Sequence, residues 1–338
     1  MNRAGEILQL ERTNIADVKD YLNALKVLNN WRTSHNYPLN TFQANLRTKI
    51  KRAGIQNAIV AQRLKRIPSI VSKLSREKYM KLSTMQDIGG IRTILPTLGD
   101  VHQFAESFRK SKIKHELIKE YDYVTCPKES GYRSIHFVYR YNNHRAPEYN
   151  GLKVELQIRN QLQHSWATAV EIVGAFLNTS LKSSEGPDEW LAFFSMVGSA
   201  FALLENCQPH EDFEHYRPKM FREEIAETEK KLAVRKNLTT FGSTIRALDF
   251  KKMNYKYYLL HMKPEEKLVS YKGFHENQLE EANELYTNLE KKVKFDQNEQ
   301  IVLVSGMTFM ELQKAYPNYF LDSRDFLKNL NLLKKKLG

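Results

Sequence analysis

The stretch "KESGYRSIHFVYRY", residues 128–141, decides the fold. Successive side chains of a strand point to opposite faces, so Tyr132, Ser134 and His136 fall on one side and Ile135, Phe137 and Tyr139 on the other. One side packs; the other, entered through a loop carrying Lys128 and Gly131, is free for chemistry. Working outward, "GIRTILP" (90–96), "IKHELIKEYDYV" (113–124) and "LKVELQIRN" (152–160) also read as strands, with a helical "GDVHQFAESFRK" after the first. The expectation is an α/β fold, a mixed sheet flanked by helices.

Residues 1–80 read as helical, including "IADVKDYLNALKVLNNWRTSH" and "TFQANLRTKIKRAGIQNAIVAQRL". Beyond the strands, "QLQHSWATAVEIVGAFLN" and "PDEWLAFFSMVGSAFALLENC" read as helices, the second apolar nearly all round. From about Arg217 a third block follows: a long charged helix over 221–250, a hairpin ("YKYYLLHM", "KLVSYKGF"), a helix over 276–293, a strand ("EQIVLVSG") and a last helical segment. We expect two units, a catalytic one over 1–215 and a smaller α+β one over 216–338.

At 338 residues with 41% hydrophobic side chains, the chain is long enough for two or three cores. No run approaches the roughly 18–20 apolar residues of a membrane span, and the start "MNRAGEILQLERTN" carries charge where a signal peptide is apolar. No membrane association and a cytoplasmic location are expected. Only Cys126 and Cys207 are present, which excludes a cysteine-rich metal or disulfide framework. Any metal must be held by carboxylates.

The net charge is +13, and ten Lys or Arg stand against a single acid, Glu77, between Leu46 and Tyr79. That asymmetry points to an anionic partner. In "RLKRIPSIVSKLSRE" a helix starting near Pro68 places Ser69 and Lys73 four apart on one face, with Arg63 and Lys65 in the entry loop, an arrangement suited to phosphates.

The sheet carries the acids. In "KVELQIR" the period of two puts Glu155, Gln157 and Arg159 together, opposite Val154, Leu156 and Ile158. Asp87 in "MQDIGGIR" stands at the mouth of the first strand, where Gly89 and Gly90 permit close backbone approach. Each acid alone would serve as a partner for Arg92 or Arg159. Together with the cations and the Gly-Tyr loop they suggest Mg²⁺ bound with a polyphosphate.

The motifs "DIGGIR", "YDYVTCPKESGYRSIH" and "VELQIR", the last followed by a helix with a Trp, resemble the synthetase domain of the RelA/SpoT family of alarmone synthetases over about residues 45–180. The resemblance implies an ATP-dependent pyrophosphokinase that moves the β,γ-pyrophosphate of ATP to a ribose 3′-hydroxyl, with Mg²⁺ as cofactor. It implies that Arg63 stacks on adenine; that Lys65, Ser69 and Lys73 bind the ATP phosphates; and that Asp87 and Glu155 are the catalytic, metal-holding pair. Lys128, Tyr132, His136 and Gln157 would line the acceptor side, with Tyr132 stacking on its base.

There are departures from the family pattern. Ser130 stands where an asparagine is usual before Gly131, and the N-terminal block lacks the His-Asp pattern of the family's hydrolase domain, so no hydrolysis of the product is expected. The helix "NQLQHSWATAVE" is more like that of the toxic small synthetases, some of which modify the 3′ CCA end of tRNA. We therefore expect tRNA as acceptor ahead of GDP or GTP. The RNA surface is assigned to Arg47, Lys49, Lys51 and Arg52, with Lys110, Lys112 and Lys114.

In the third block, "AYPNYF" spaces Tyr316 and Tyr319 three apart. The whole arrangement resembles fused toxin–antitoxin synthetases of the CapRel type, in which such a pair closes the ATP site until a phage-encoded trigger protein binds the C-terminal domain. Two further readings are a non-catalytic RNA-binding protein, against which Asp87 and Glu155 argue, and a polymerase-like nucleotidyltransferase, whose Asp-x-Asp pair the sheet block lacks.

Overall fold

The structure is a computed structural model describing residues 1–9, 18–177, 179, 181, 184–243, 255–263, 266, 268–292, 299–305 and 309–337. The expected helix end at 244–250, residue 293 and Gly306 lie outside the described residues. The helices are α1 (Asn2–Gln9), α2 (Val18–Ser34), α3 (Asn36–Arg52), α4 (Ile67–Arg76), α5 (Leu98–Arg109), α6 (Gln161–Phe176), α7 (Asp188–Leu204), α8 (Pro218–Lys231), α9 (Val234–Ser243), α10 (Leu279–Lys292), α11 (Phe309–Ala315) and α12 (Arg324–Lys336). The strands are β1 (Ile59–Leu64), β2 (Gly89–Leu95), β3 (Glu116–Asp122), β4 (Ile135–Arg140), β5 (Lys153–Asn160), β6 (Tyr257–Lys263), β7 (Leu268–Phe274) and β8 (Gln300–Ser305).

All eight strands form one sheet in the order β3-β4-β5-β2-β1-β8-β6-β7. Only β2 and β5 run parallel; every other neighbouring pair is antiparallel. The three strands of the third block thus extend the sheet of the second, through the pairs Gln62↔Ser305 and Arg63↔Val304. Gln62 reinforces this seam by donating to the Ser305 hydroxyl at 2.6 Å and to Asn40 Oδ1 at 2.8 Å.

Register assigns the two faces. Arg63 opposes Gly90, Gly90 opposes Glu155, and Arg92 opposes Gln157, which opposes His136, so these residues share one face. That face also carries Ala61, Ile94, Val302, Val304, Tyr258 and Leu260, and it is covered by α6, α7, α11 and α12 in one apolar core. The opposite face, with Ile91, Phe137, Tyr139, Val154, Leu156 and Ile158, packs on Leu39, Phe42 and Leu46 of α3 and Val101, Phe104 and Phe108 of α5. The alternation read in "SIHFVY" and "VELQIR" is the alternation observed.

One expectation is corrected. Residues 41–64 are not a single helix: α3 stops at Arg52, Gly54 takes a positive φ of 66°, and 59–64 is the strand β1. β1 lies inside the sheet with both faces covered, so its burial (Val60, Ala61, Gln62 and Leu64) shows no clean period of two and imitates helical spacing. The charged helix of the third block is likewise two helices, α8 and α9, broken at Ala233 where φ is 47°.

The Gly-Tyr loop is fixed by α7. Gly131 has φ +85°, and a Cβ there would fall 2.8 Å from the Phe194 carbonyl oxygen, so no other residue fits. Gly198 of α7 makes the reciprocal approach, and Trp166 Nε1 donates to the Phe194 carbonyl at 2.9 Å. This is why the strongly apolar α7 is needed: it is the bed on which the Gly-Tyr loop rests.

Candidate functional site

The site lies on the sheet face under α11. Arg63 is on β1 itself and not in the entry loop; Lys65 follows the strand, and α4 begins at Ile67 with Pro68 in its first turn. Lys65 Nζ donates to Asp87 Oδ2 at 2.6 Å and Lys73 Nζ to Asp87 Oδ1 at 3.3 Å. Burial favours the neutral acid, yet the two ammonium groups hold the Asp87 carboxyl down at about 2. Burial has the upper hand at Lys65, whose pKa is lowered despite Asp87. Ser69 stands one turn before Lys73 on α4.

A second chain of polar contacts descends from the loop. Tyr132 OH lies 2.9 Å from His136 Nε2, His136 Nδ1 lies 3.0 Å from Glu155 Oε1, and Gln157 Nε2 donates to Glu155 Oε2 at 2.8 Å. Burial works against the imidazolium, but Tyr132 and Glu155 outweigh it and raise His136 to about 9. The same contact with His136 keeps Glu155 ionised against its own burial and the like charge of Asp87. Ser134, expected among the chemical residues, precedes β4 and donates to the Ile158 carbonyl at 2.9 Å, fully buried. It is a structural residue.

Between the two chains is a small cavity of about 40 Å³ lined by Arg63, Lys65, Asp87, Gly90, Ile91, Arg92, Glu155, Gln157 and Tyr316. Tyr316 comes from the third block: it follows α11, heads the turn Pro317–Phe320, and is 2% exposed, as is Tyr319. Its ring centre lies 5.4 Å from the Arg92 guanidinium, within cation–π range. The Arg63 pKa is raised, burial being outweighed by Tyr319, Glu171, Tyr316 and Asp87. The segment is anchored through backbone oxygens: Arg92 NH1 donates to Ala315 O at 3.1 Å and His164 Nε2 lies 2.8 Å from Lys314 O.

Three groups here were not singled out from the sequence. Arg92 was read only as a partner for an acid; it faces an aromatic ring instead, and its Nε is buried with no partner among the described residues. Arg159, pulled down to about 9 by burial and by Arg92, donates to His164, whose pKa lies well below the ordinary value. The third group is a latch. Glu290 of α10 accepts from Arg32 NH1 at 2.8 Å, from Tyr286 OH at 2.8 Å and from the Ile67 backbone N–H at 3.2 Å. Arg32 also donates to Tyr286 OH and to the Lys65 carbonyl at 3.0 Å. A carboxylate of the third block thus sits on the N-terminus of the helix nominated for phosphates, where backbone N–H groups and the helix dipole favour an anion. No local pattern announces a contact spanning 258 residues.

The nominated RNA residues lie elsewhere. Arg47, Lys49, Lys51 and Arg52 are on α3, across the sheet from the carboxylates. His35, which precedes α3, packs beside Gly89, and Arg52 is about 25 Å further along the helix at 1.5 Å per residue. The structure does unite them with the second group: Lys49 Nζ donates to Ser107 O and Ser111 Oγ, each at 3.1 Å, next to Lys110, Lys112 and Lys114. Burial lowers the Lys49 pKa.

Asp87 and Glu155 are the two acids of the cavity. Among the described residues no cluster of three or more His, Cys, Asp or Glu could hold a metal unaided. The pair would suit a Mg²⁺ ion that shares its coordination with phosphate oxygens.

The family described as "Region found in RelA / SpoT proteins" matches residues 62–173. Two curated Bacillus subtilis (strain 168) proteins are similar to the same part: GTP pyrophosphokinase YjbM, 32% identical over 111 residues, covering 32% of this chain and 52% of that one, and GTP pyrophosphokinase YwaC, 31% identical over 115 residues, covering 31% and 52%. The solved structure of small alarmone synthetase 1 from Bacillus subtilis, bound to its product pppGpp, superposes with a TM-score of 0.43 at 24% identity, over 51% of this chain and 89% of that one. Residues 62–173 are a RelA/SpoT-family domain. The chain spans about half the length of the curated relatives it matches. Tyr316, Tyr319 and Glu290 lie outside the matched region.

No helix among the described residues is long and apolar enough to cross a membrane.

Proposed function

We propose that the protein is an ATP-dependent pyrophosphokinase that transfers the β,γ-pyrophosphate of ATP to a ribose 3′-hydroxyl, and that its C-terminal block holds it inactive. The observation that carries the reading is the cavity in which Asp87 and Glu155 face Arg63, Lys65 and Arg92, with Tyr316 set into it.

In this reading Lys65, Ser69 and Lys73 bind the phosphates, and Arg63 and Arg92 hold the adenine. The acceptor base stacks on Tyr132, with Lys128, His136 and Gln157 around it. The 3′-oxygen attacks the β-phosphorus, the bond from that phosphorus to the α,β-bridging oxygen breaks, and AMP leaves with the electron pair. Glu155, kept ionised by His136, takes the hydroxyl proton. Mg²⁺ held by Asp87 and Glu155 supplies charge neutralisation at the phosphates. The lysines and arginines position the chain in line and stabilise the leaving charge.

The acceptor we favour is the 3′ CCA end of tRNA, on the +13 charge and the α6 sequence. Modification there blocks aminoacylation and arrests translation, as in an autoinhibited toxin–antitoxin used in phage defence, opened by a phage-encoded protein that binds the C-terminal block. A second reading, synthesis of (p)ppGpp from GDP or GTP, is favoured by relatives named GTP pyrophosphokinase. Incubation of the Tyr319→Ala chain, in which the block is released, with γ-labelled ATP and GDP, GTP, ADP or bulk tRNA separates them. Label in tRNA alone supports the first reading, label in GDP or GTP alone the second, and label in none of the four removes both.

A further inference from the structure

Beyond Tyr132 the site face continues onto the edge strand β3. Lys119 and Tyr121 on the strand and Tyr123 just past its end follow at i, i+2 and i+4, and Tyr121 opposes His136. The Tyr121 and Tyr123 rings stack at 5.6 Å with an interplanar angle of 12°. Lys119 Nζ caps the Tyr121 ring at 4.7 Å, and Lys128 Nζ caps the Tyr123 ring at 4.5 Å. The column meets the acceptor loop edge-on, with Tyr123 at 6.0 Å from Tyr132 and 5.3 Å from His136.

We propose that Tyr121 and Tyr123, with Lys119 and Lys128, form a stacking subsite for the nucleotides that precede the acceptor residue in an unpaired RNA 3′ end. The proposal rests on the pyrophosphokinase reading above and specifies its acceptor as an oligonucleotide. Both lysines are exposed, and neither has a carboxylate within salt-bridge distance among the described residues. The acids of the same strand are already engaged. Glu120 accepts from Arg109 at 2.5 Å, and Asp122 accepts the Val124 and Thr125 N–H groups at 3.0 Å, which also fixes the turn presenting Tyr123.

Two ring faces, each covered by an ammonium without a counter-ion, match the two components of single-strand binding: a base that stacks and a phosphate that takes the cation. On binding, a base replaces the ammonium over the ring and the released lysine pairs with the adjoining phosphate. A mononucleotide reaches Tyr132 but not Tyr121, so the column contributes only when nucleotides lie 5′ of the acceptor. The site is on the same sheet face as the carboxylates, unlike the lysines and arginines of α3.

The test uses the full chain and fluorescence anisotropy with two labelled RNA hairpins, one blunt and one with three unpaired 3′ nucleotides, and GDP as the mononucleotide probe. The wild type should favour the overhang hairpin. Tyr121→Leu should weaken overhang binding about 5- to 100-fold, the loss of one stacked base, Lys119→Ala should flatten its salt dependence, and neither should change GDP binding. Equal binding of the two hairpins by the wild type, or an equal loss of overhang RNA and GDP in Tyr121→Leu, overturns the proposal. The labelled-ATP assay on the Tyr319→Ala chain reports separately on the enzymatic reading: overhang preference in that variant without transfer to any acceptor would remove the chemistry and keep the subsite.

Discussion

Glu290→Gln tests how the C-terminal block holds α4, the helix proposed to bind phosphates. The carboxylate is 4% exposed and its partner Arg32 is 1% exposed. It accepts from three directions, Arg32, Tyr286 and the Ile67 N–H. A glutamine offers one oxygen in place of two, so its amide N–H must confront a donor, either Arg32 or the Tyr286 and Ile67 pair. Arg32 is then left buried without its counter-charge, a loss of about 3–5 kcal/mol. If α10 docks on α4 only in the closed state, the closed–open constant falls about 10²- to 10³-fold or more. Hydrogen exchange at α10 and β8 should accelerate relative to β5, and pyrophosphate transfer should rise. Replacing both partners, Arg32→Met with Glu290→Leu, should restore protection, because an apolar pair of similar volume is near neutral. Unchanged exchange at α10 in Glu290→Gln, or simple additivity of the two single-variant effects, would refute the latch.

Introduced into the Tyr319→Ala chain, Asp87→Asn and Glu155→Gln should each abolish Mg²⁺-dependent transfer while the folded chain is retained; circular dichroism with the labelled-ATP assay reads both. Tyr316→Phe keeps a ring over Arg92 and should remain inactive, whereas Tyr319→Ala should raise transfer and growth arrest, at a core cost of about 3–5 kcal/mol visible in thermal unfolding. Arrest caused by Tyr319→Ala should vanish when Glu155→Gln is added. His136 has its pKa raised from 6.5 to about 9, so the contribution of its imidazolium to the Tyr132–His136–Glu155 chain is complete below pH 6.5 and is lost as pH rises through 9. The acceptor KM should therefore climb above about pH 9 in the wild type and lose that limb in His136→Gln. Charge reversal at Arg47, Lys51 and Arg52 should reduce the salt dependence of tRNA binding with little change in transfer to GDP.

Deletion of the third block is a poor probe of its role. Leu312, Tyr316, Tyr319, Phe326, Leu330 and Leu333 belong to the same apolar cluster as Trp166, Phe193 and Phe201, so truncation at residue 216 would strip one side of the core. Point substitutions at the contacts separate inhibition from support.

What was legible in the sequence follows from the range of the interactions. β4 and β5 were readable because each has one face of charge and one of core; the alternation put Tyr132, His136 and Glu155 on the open face, Asp87 was read from its place at the mouth of β2, and the roles expected of all four came from the family resemblance. β1 was not, because a strand covered on both faces loses its period. The Tyr316/Tyr319 pair could be nominated by the resemblance, but its seat over Arg92 could not, nor could the stacking of Tyr121 on Tyr123. The basic run of α3 was visible as charge, while its place across the sheet depended on where α3 packs. Glu290 illustrates the limit: one glutamate among many on a charged helix, distinguished only by the buried arginine it meets in the folded chain.

Under the proposed restraint, the seam between β1 and β8 bears on how a release signal would act. Among the described residues it consists of two residue pairs, where β1 and β2 share six and β6 and β8 share six. In mechanical terms it is the narrowest joint of the sheet, and β8, β6, β7 and α10 lie on one side of it as a single plate. A load applied to that plate is shared between Gln62 and Ser305 at the seam and the Glu290–Arg32 pair beside α4, so under the proposed restraint a partner gripping the distal strands would work with a lever arm, away from the cavity between Asp87 and Glu155.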